Sequence, residues 1–179
     1  LNDIGCKNDI TDNLLWLPFI AIAYLKETAD FNFLKEKVGY LDNNRKTSVL
    51  DHCLKAIEKS LNRLSSRGLP LIGEGDWNDG LCRAGDDWKG ESVWLGHFLC
   101  GILNEWSLLL RKLNKKKVSQ RFKDAAAELK SNINKYAWDG KWYFRATRDD
   151  GIVLGSKNQE QGKIFLNAQT WAVINRIIP

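Results

Sequence analysis

Between Gly68 and Gly96 the chain sets six acids and three tryptophans into a glycine-rich stretch: Glu74, Asp76, Asp79, Asp86, Asp87 and Glu91 beside Trp77, Trp88 and Trp94. The glycines, Gly68, Gly73, Gly75, Gly80, Gly85, Gly90 and Gly96, give a backbone that can turn tightly and approach a ligand closely. Carboxylates beside indoles are what a pyranose site needs. An indole covers the apolar C–H face of a sugar, and an acid accepts its hydroxyl hydrogen bonds or donates a proton to a leaving oxygen. The same composition also fits folding alone, because Gly-Asp and Asn-Asp-Gly are ordinary turn sequences. At this level both readings stay open. A nucleotide fingerprint is excluded, since no third glycine follows Gly73 and Gly75 at the required spacing after a strand.

The elements that must position this loop read as helices. Residues 13–28 form an apolar-rich stretch in which Thr11 and Asp12 are expected as caps and Pro18 is expected in the first turn. A short helix is expected around residues 32–38. From Ser48 onward Leu50, Cys53, Leu54, Ile57, Leu61 and Leu64 keep the i, i+3, i+4 rhythm, Ser48 and Asp51 resemble a capping box, and Gly68-Leu69-Pro70 ends the run. Two long helices are expected after the loop, over residues 92–113 and 118–136. The period then changes: Asp139-Gly140 and Asp149-Asp150-Gly151 are turn signals around a strand at 141–147 and its return at 152–154. Residues 165–178 look helical again. Long helices with an elaborate, polar, aromatic-bearing loop suit a layered, mainly α domain, and an α/α toroid better than a simple bundle.

Composition narrows the class. The chain has 179 residues, 44% of them hydrophobic and 27% charged, enough to bury a core without disorder. It opens on Leu1 and contains no Met, which reads as a segment of a longer polypeptide. The formal charge is +5, with a basic run from Arg111 to Lys117. No aromatic residue interleaves with those lysines, so a solvated helix end is the reading preferred over nucleic-acid or membrane contact. Cys6, Cys53, Cys82 and Cys100 are too far apart for paired-cysteine chemistry, and only His52 and His97 could join them in a metal site. No metal is expected, and the thiols read as reduced in a cytoplasmic protein.

The string Gly75-Asp76-Trp77-Asn78-Asp79-Gly80, followed by Gly90-Glu91-Ser92-Val93-Trp94-Leu95-Gly96, resembles the signature of glycoside hydrolase family 94. That family comprises the cellobiose, cellodextrin, laminaribiose and chitobiose phosphorylases and the phosphorylase-like domain of cyclic β-1,2-glucan synthases. The similarity continues through Thr11-Asp12-Asn13-Leu14-Leu15-Trp16-Leu17-Pro18, Tyr24-Leu25-Lys26-Glu27-Thr28 and Trp138-Asp139-Gly140-Lys141-Trp142-Tyr143. It ends with Gly162-Lys163-Ile164-Phe165 and Gln169-Thr170-Trp171-Ala172-Val173, so it covers essentially the whole chain in order.

The resemblance implies a fragment of an (α/α)6 barrel with a small β-hairpin insertion. Residues 1–179 would be part of the catalytic domain, with an N-terminal β-sandwich domain and the C-terminal part of the barrel outside the chain. It also implies inverting phosphorolysis of a β-linked glucoside, cellobiose-like or cellodextrin-like, to a sugar 1-phosphate and a shortened acceptor. Asp79 falls on the general acid, which protonates the glycosidic oxygen while phosphate attacks from the opposite face. Phosphate brings its own nucleophilic oxygen, so no second carboxylate base is required. Trp77 matches a residue lining the cleaved sugar, and Asp12 one that binds its hydroxyls. Asn13 stands where many relatives carry a second aspartate.

Other matched residues keep two readings. Asp76 is expected to shape the loop as a hydrogen-bond acceptor. Glu74 faces either the acceptor sugar or solvent, and Arg83, Glu91, Lys163 and Gln169 either support the loop or touch ligand. Trp16, Trp94, Trp171 and His97 are expected to pack. The expected partners are an oligosaccharide and inorganic phosphate as co-substrate, with no cofactor and no nucleic acid or membrane contact in this segment, and a homodimer is compatible with the full-length protein. The alternatives are the phosphorylase-like domain of a β-1,2-glucan synthase and a non-catalytic carbohydrate-binding fragment.

Overall fold

The computed structural model describes residues 8–40 and 43–179, leaving aside the side chains of Asn43 and Asp79. Cys6 lies outside the described residues. Among the described residues five α-helices carry the fold: α1 (Asn13–Thr28), α2 (Val49–Leu61), α3 (Val93–Lys112), α4 (Lys116–Tyr136) and α5 (Leu166–Ile174). Two small antiparallel hairpins join them, β1 (Lys37–Tyr40) with β2 (Asn43–Ser48), and β3 (Ala146–Thr147) with β4 (Val153–Leu154). The architecture is mainly helical.

Helix α3 is the axis of the core. Its apolar residues run almost all round it, which is the pattern of an interior helix, and α1, α2, α4 and α5 all pack against it. Trp94, Phe98, Leu99, Leu103, Trp106 and Leu110 are fully or almost fully buried. Among the described residues α3 is also the one helix long and apolar enough to cross a bilayer, and 78% of its most apolar window is buried inside the protein. Helix α4 is amphipathic instead and turns Phe122, Ala126, Leu129 and Ile133 onto α3.

Several elements differ from what the sequence pattern leads one to expect. Thr11 and Asp12 do not cap α1: Asp12 has helical backbone angles and makes no capping bond, and Thr11 Oγ1 donates to the carbonyls of Ile72 and Gly75, both at 3.1 Å. Pro18 sits in the second turn of α1 rather than the first. It is buried there, and its carbonyl accepts from Trp106 Nε1 at 3.0 Å, an anchor between α1 and α3. The expected helix at 32–38 is a 3-10 turn at Phe31–Lys35 followed by strand β1. Helix α2 carries the full capping box of Ser48 and Asp51 but stops at Leu61, and the segment up to Pro70 folds back as loop, with Leu64 and Pro70 bridged. The regular strand expected at 141–147 shrinks to Ala146–Thr147.

The loop after α2 threads between two supports. On one side Ile10 bridges Gly73 and the Thr11 N–H donates to Gly75 O at 3.0 Å, so the start of α1 lies along the loop. On the other, Leu71 bridges Glu91, Ser92 bridges Ala146, and Glu91 and Thr147 exchange backbone hydrogen bonds. The β3–β4 hairpin therefore backs the loop. Ile72, Leu81, Ala84 and Ala146 form a second small core between them. Gly85 and Gly90 are required by that packing, because a β-carbon would run into Ile72 at the first and into the carbonyls of Ala84 and Thr147 at the second.

Candidate active site

The sequence Asp76-Trp77-Asn78-Asp79 folds as a turn held by its own first residue. Asp76 is buried, and its Oδ1 accepts from the Asn78 backbone N–H at 2.7 Å and from Asn78 Nδ2 at 2.8 Å. Its Oδ2 accepts from the Ser92 hydroxyl, and Ser92 in turn caps α3 by accepting from the Leu95 N–H at 3.1 Å. One carboxylate thus joins the turn to the first residue before the central helix. Asn78 Oδ1 accepts from Asn167 Nδ2 at the start of α5, a third anchor. Asp79 opens a short 3-10 turn, Asp79–Leu81, and its side chain lies outside the described residues.

Asp12 comes to the same place although it is 64 positions from Asp76. It is 3% exposed, and Oδ2 accepts from Trp16 Nε1 at 2.7 Å. Its other oxygen, Oδ1, is buried with no hydrogen-bond partner among the described residues. Burial raises the Asp12 pKa; the Trp16 N–H opposes this, and the nearby Asp76 carboxylate adds to the rise. A buried acceptor lacking a donor is costly unless something supplies one.

Trp77 projects from the turn and is 53% exposed, while its inner face stacks on Trp94, ring centroids 5.5 Å apart and planes 29° from parallel. Trp94 is fully buried and packs with Trp16, Phe98 and Trp171. Its Nε1 has no partner among the described residues. A rigid aromatic pile therefore stands beneath a single solvent-facing indole. A ring held this way can cover the face of a sugar without first being ordered.

The remaining sequence candidates separate. Glu91 is buried, and its carboxylate takes both Nε and Nη2 of Arg67, whose guanidinium lies 5.8 Å from the Tyr136 ring centroid. Gln169 clamps α5 to the segment before β3: it accepts from the Tyr143 N–H at 3.0 Å and donates to Tyr143 O at 2.7 Å. Glu74 is exposed and accepts from the Asp9 N–H at 2.9 Å. Arg83 is exposed, has a positive φ of 72° and pairs loosely with Asp86 at 3.9 Å. Lys163 is exposed, and its carbonyl accepts from Trp142 Nε1 at 2.7 Å. His97 is buried against Tyr143, ring centroids 4.9 Å apart, and lies in the core. Among the described residues no group of three His, Cys, Asp or Glu is placed to hold a metal.

Sequence reasoning passed over three residues of the site: Ser92, Asn167 and Arg145. The half-buried Arg145 guanidinium lies 4.4 Å from the Phe165 ring centroid. A β-carbon at Gly80 would stand 3.5 Å from its Nη2 and 3.7 Å from its Nη1. Desolvation holds its pKa below the usual range, and the Asp76 carboxylate acts in the opposite direction. A lone arginine inside the apolar run Trp142-Tyr143-Phe144-Arg145-Ala146 was the available signal. The groove of about 800 Å³ between α1, α3, α4 and the end of α5 contains no residue of the acid-bearing loop.

The model of the glycosyl hydrolase 94 superfamily catalytic domain matches residues 2–178. The chain is 40% identical to a solabiose phosphorylase from Paenibacillus borealis, over 92% of the chain and 22% of that protein. It is 35% identical to a cellobionic acid phosphorylase from Neurospora crassa, over 92% of the chain and 21% of that protein. It is 33% identical to the cyclic beta-(1,2)-glucan synthase NdvB from Rhizobium meliloti, over 97% of the chain and 7% of that protein. The chain thus spans about a fifth of the two phosphorylases it resembles.

Proposed function

The chain belongs to the glycosyl hydrolase 94 superfamily, and from that premise we propose that it is part of a phosphorylase that cleaves a β-linked glucoside with inorganic phosphate and inversion. The full activity belongs to a longer protein. In this reading the chain contributes a segment of an (α/α)6 barrel, and an N-terminal β-sandwich and further helices lie elsewhere in the polypeptide. A cytoplasmic location goes with it.

One observation carries the proposal: the unpaired, buried Oδ1 of Asp12 beside the Asp76 turn, with the supported, exposed Trp77 on the same turn. A sugar hydroxyl donating to Asp12 would satisfy the orphan acceptor, and the Trp77 ring would cover the C–H face of the same sugar. Asp79, two residues after Trp77, is then the general acid. It gives its proton to the glycosidic oxygen as the C–O bond breaks, phosphate oxygen forms the new bond to the anomeric carbon, and the shortened acceptor leaves as an alcohol. Asp76 is already engaged by Asn78 and Ser92 and shapes the turn.

Relatives of the chain are phosphorylases of solabiose, of cellobionic acid and of a glucosyl glucuronide, so the acceptor varies among them while the reaction class is shared. Incubating the full-length protein with phosphate and a panel of β-glucosides, and measuring sugar 1-phosphate, tests the reading. Phosphate-dependent release from at least one β-disaccharide is expected; release of free glucose without phosphate, or no cleavage of any, overturns it. A second reading, the phosphorylase-like domain of a β-1,2-glucan synthase, draws on the similarity to NdvB. Phosphorolysis confined to β-1,2-glucans would select it.

A further inference from the structure

We propose that Arg145 is a positioning residue for the turn that carries Asp79: its guanidinium, ordered on the Phe165 ring, fills the space that a side chain at Gly80 would enter and so braces the turn. The kinetic part of this proposal rests on the phosphorylase reading; the structural part does not.

Arg145 reaches the turn from the strand side of the loop. Its backbone N–H donates to Leu154 O at 2.7 Å and its carbonyl accepts from the Val93 N–H at 3.2 Å, so its Cα is fixed between the β3–β4 hairpin and the first residue of α3. The guanidinium then lies on the Phe165 ring, immediately before α5. Stacking on an aromatic face orders a long side chain that would otherwise lose rotamer freedom at a cost. Nε is buried with no hydrogen-bond partner, and Arg145 forms no ion pair of contact length among the described residues. A half-buried cation with no paired acceptor among the described residues is costly to hold. Its guanidinium fills the space beside the turn: a β-carbon at Gly80, the residue after Asp79, would stand 3.5 Å from Nη2, and Asp76 lies close enough for its charge to act on Arg145.

Asp76 is the residue that closes the turn, through both bonds to Asn78. Among the described residues its charge acts on Asp12, at the start of α1, and on Arg145; the neutral Ser92, just before α3, donates to it, and Asn167 of α5 donates to Asn78. Without Arg145 the Asp76 carboxylate would lose a nearby cation and the space beside Gly80 would be open. The turn would lose its floor, and Asp79 would be aimed less well, while Trp77 on Trp94 and Asp12 on Trp16 would keep their supports. A misplacement of about 1 Å at a reacting group can cost roughly 10²-fold in rate.

The test uses the full-length protein with Arg145→Gln, Arg145→Lys and Arg145→Ala. Amide hydrogen exchange is measured first, because it needs no activity: peptides covering residues 75–82 should exchange faster in Arg145→Gln than in wild type, with peptides of α2 and α4 unchanged. Kinetics follow. Arg145→Gln should lower kcat by about 10- to 100-fold with KM within about threefold. Arg145→Lys, which keeps charge but not the planar stack on Phe165, should fall between. Free guanidinium ion at low millimolar concentration should restore part of kcat to Arg145→Ala and none to wild type. Unchanged exchange over 75–82, or faster exchange throughout the domain, overturns the proposal, as does an active wild type whose Arg145→Gln variant keeps its kcat. If wild type cleaves no β-glucoside at all, the phosphorylase reading falls and the exchange result alone decides the role of Arg145.

Discussion

Trp77 lies over Trp94 with 5.5 Å between ring centroids, and of the two indoles only Trp77 meets solvent. In the proposed reading Trp77 is the ring that touches sugar and Trp94 the ring that holds it. The two should therefore respond differently to the same substitution. Trp94→Ala opens a large hole in the core and should cost about 3–5 kcal/mol of stability. Trp77→Ala should leave stability within about 1 kcal/mol, yet weaken sugar binding by roughly 1–3 kcal/mol. Thermal unfolding and sugar affinity of the two variants in the full-length protein check this; unchanged affinity in Trp77→Ala would make Trp77 a scaffold residue.

Asp76 should show itself as a structural acid. Asp76→Asn places an amide against the Asn78 and Ser92 donors, leaving at least one of them without an acceptor, at a cost of about 1–3 kcal/mol. A lower unfolding temperature should accompany any loss of turnover. Full stability with abolished turnover would move Asp76 into the chemistry.

His97 makes a pH prediction. Burial pushes its pKa from 6.5 down to about 3, with the Ala168 backbone opposing, so the folded protein holds it neutral. Between these values the unfolded chain binds the extra proton, and stability falls as pH drops below about 6.5 and is flat above about 7.5. By pH 5 the loss from this one group is about 2 kcal/mol. Asp12 has a raised pKa, so its contribution has the opposite sign: it is present below 3.8 and is lost as pH rises through the raised value. His97→Phe should reduce the fall in unfolding temperature between pH 7 and pH 5. An equal fall in the variant and in wild type would place the titrating group elsewhere.

How far the sequence leads depends on whether the signal is local. The capping box of Ser48 and Asp51 and the rhythm through Ile57 name α2 correctly because both are properties of one turn and one face. The hairpin Lys37–Tyr40 with Asn43–Ser48 escapes notice because Asn44, Arg45, Lys46 and Thr47 present no apolar alternation. Asp12 looks like a helix cap by position, yet Trp16 one turn later draws its carboxylate away. The loop from Gly68 to Gly96 announces itself by composition. Arg145 and Asn167 do not, since each reaches the turn from a segment more than sixty residues further along and only packing brings it there.

The proposed reaction depends on which aspartate of the turn gives up a proton. Asp79→Asn preserves size and most hydrogen bonding but removes the transferable proton, and general acid catalysis supplies about 10²–10⁴-fold. The measurement is sugar 1-phosphate formation from an unactivated β-disaccharide by the full-length protein, wild type against Asp79→Asn and Asp76→Asn, with sugar affinity and unfolding temperature alongside. Asp79→Asn should lose roughly 10²–10⁴-fold in kcat with sugar affinity and stability close to wild type, and should lose less on an aryl glycoside whose leaving group needs little protonation. Wild-type turnover in Asp79→Asn, together with its elimination in a stably folded Asp76→Asn, would contradict the account.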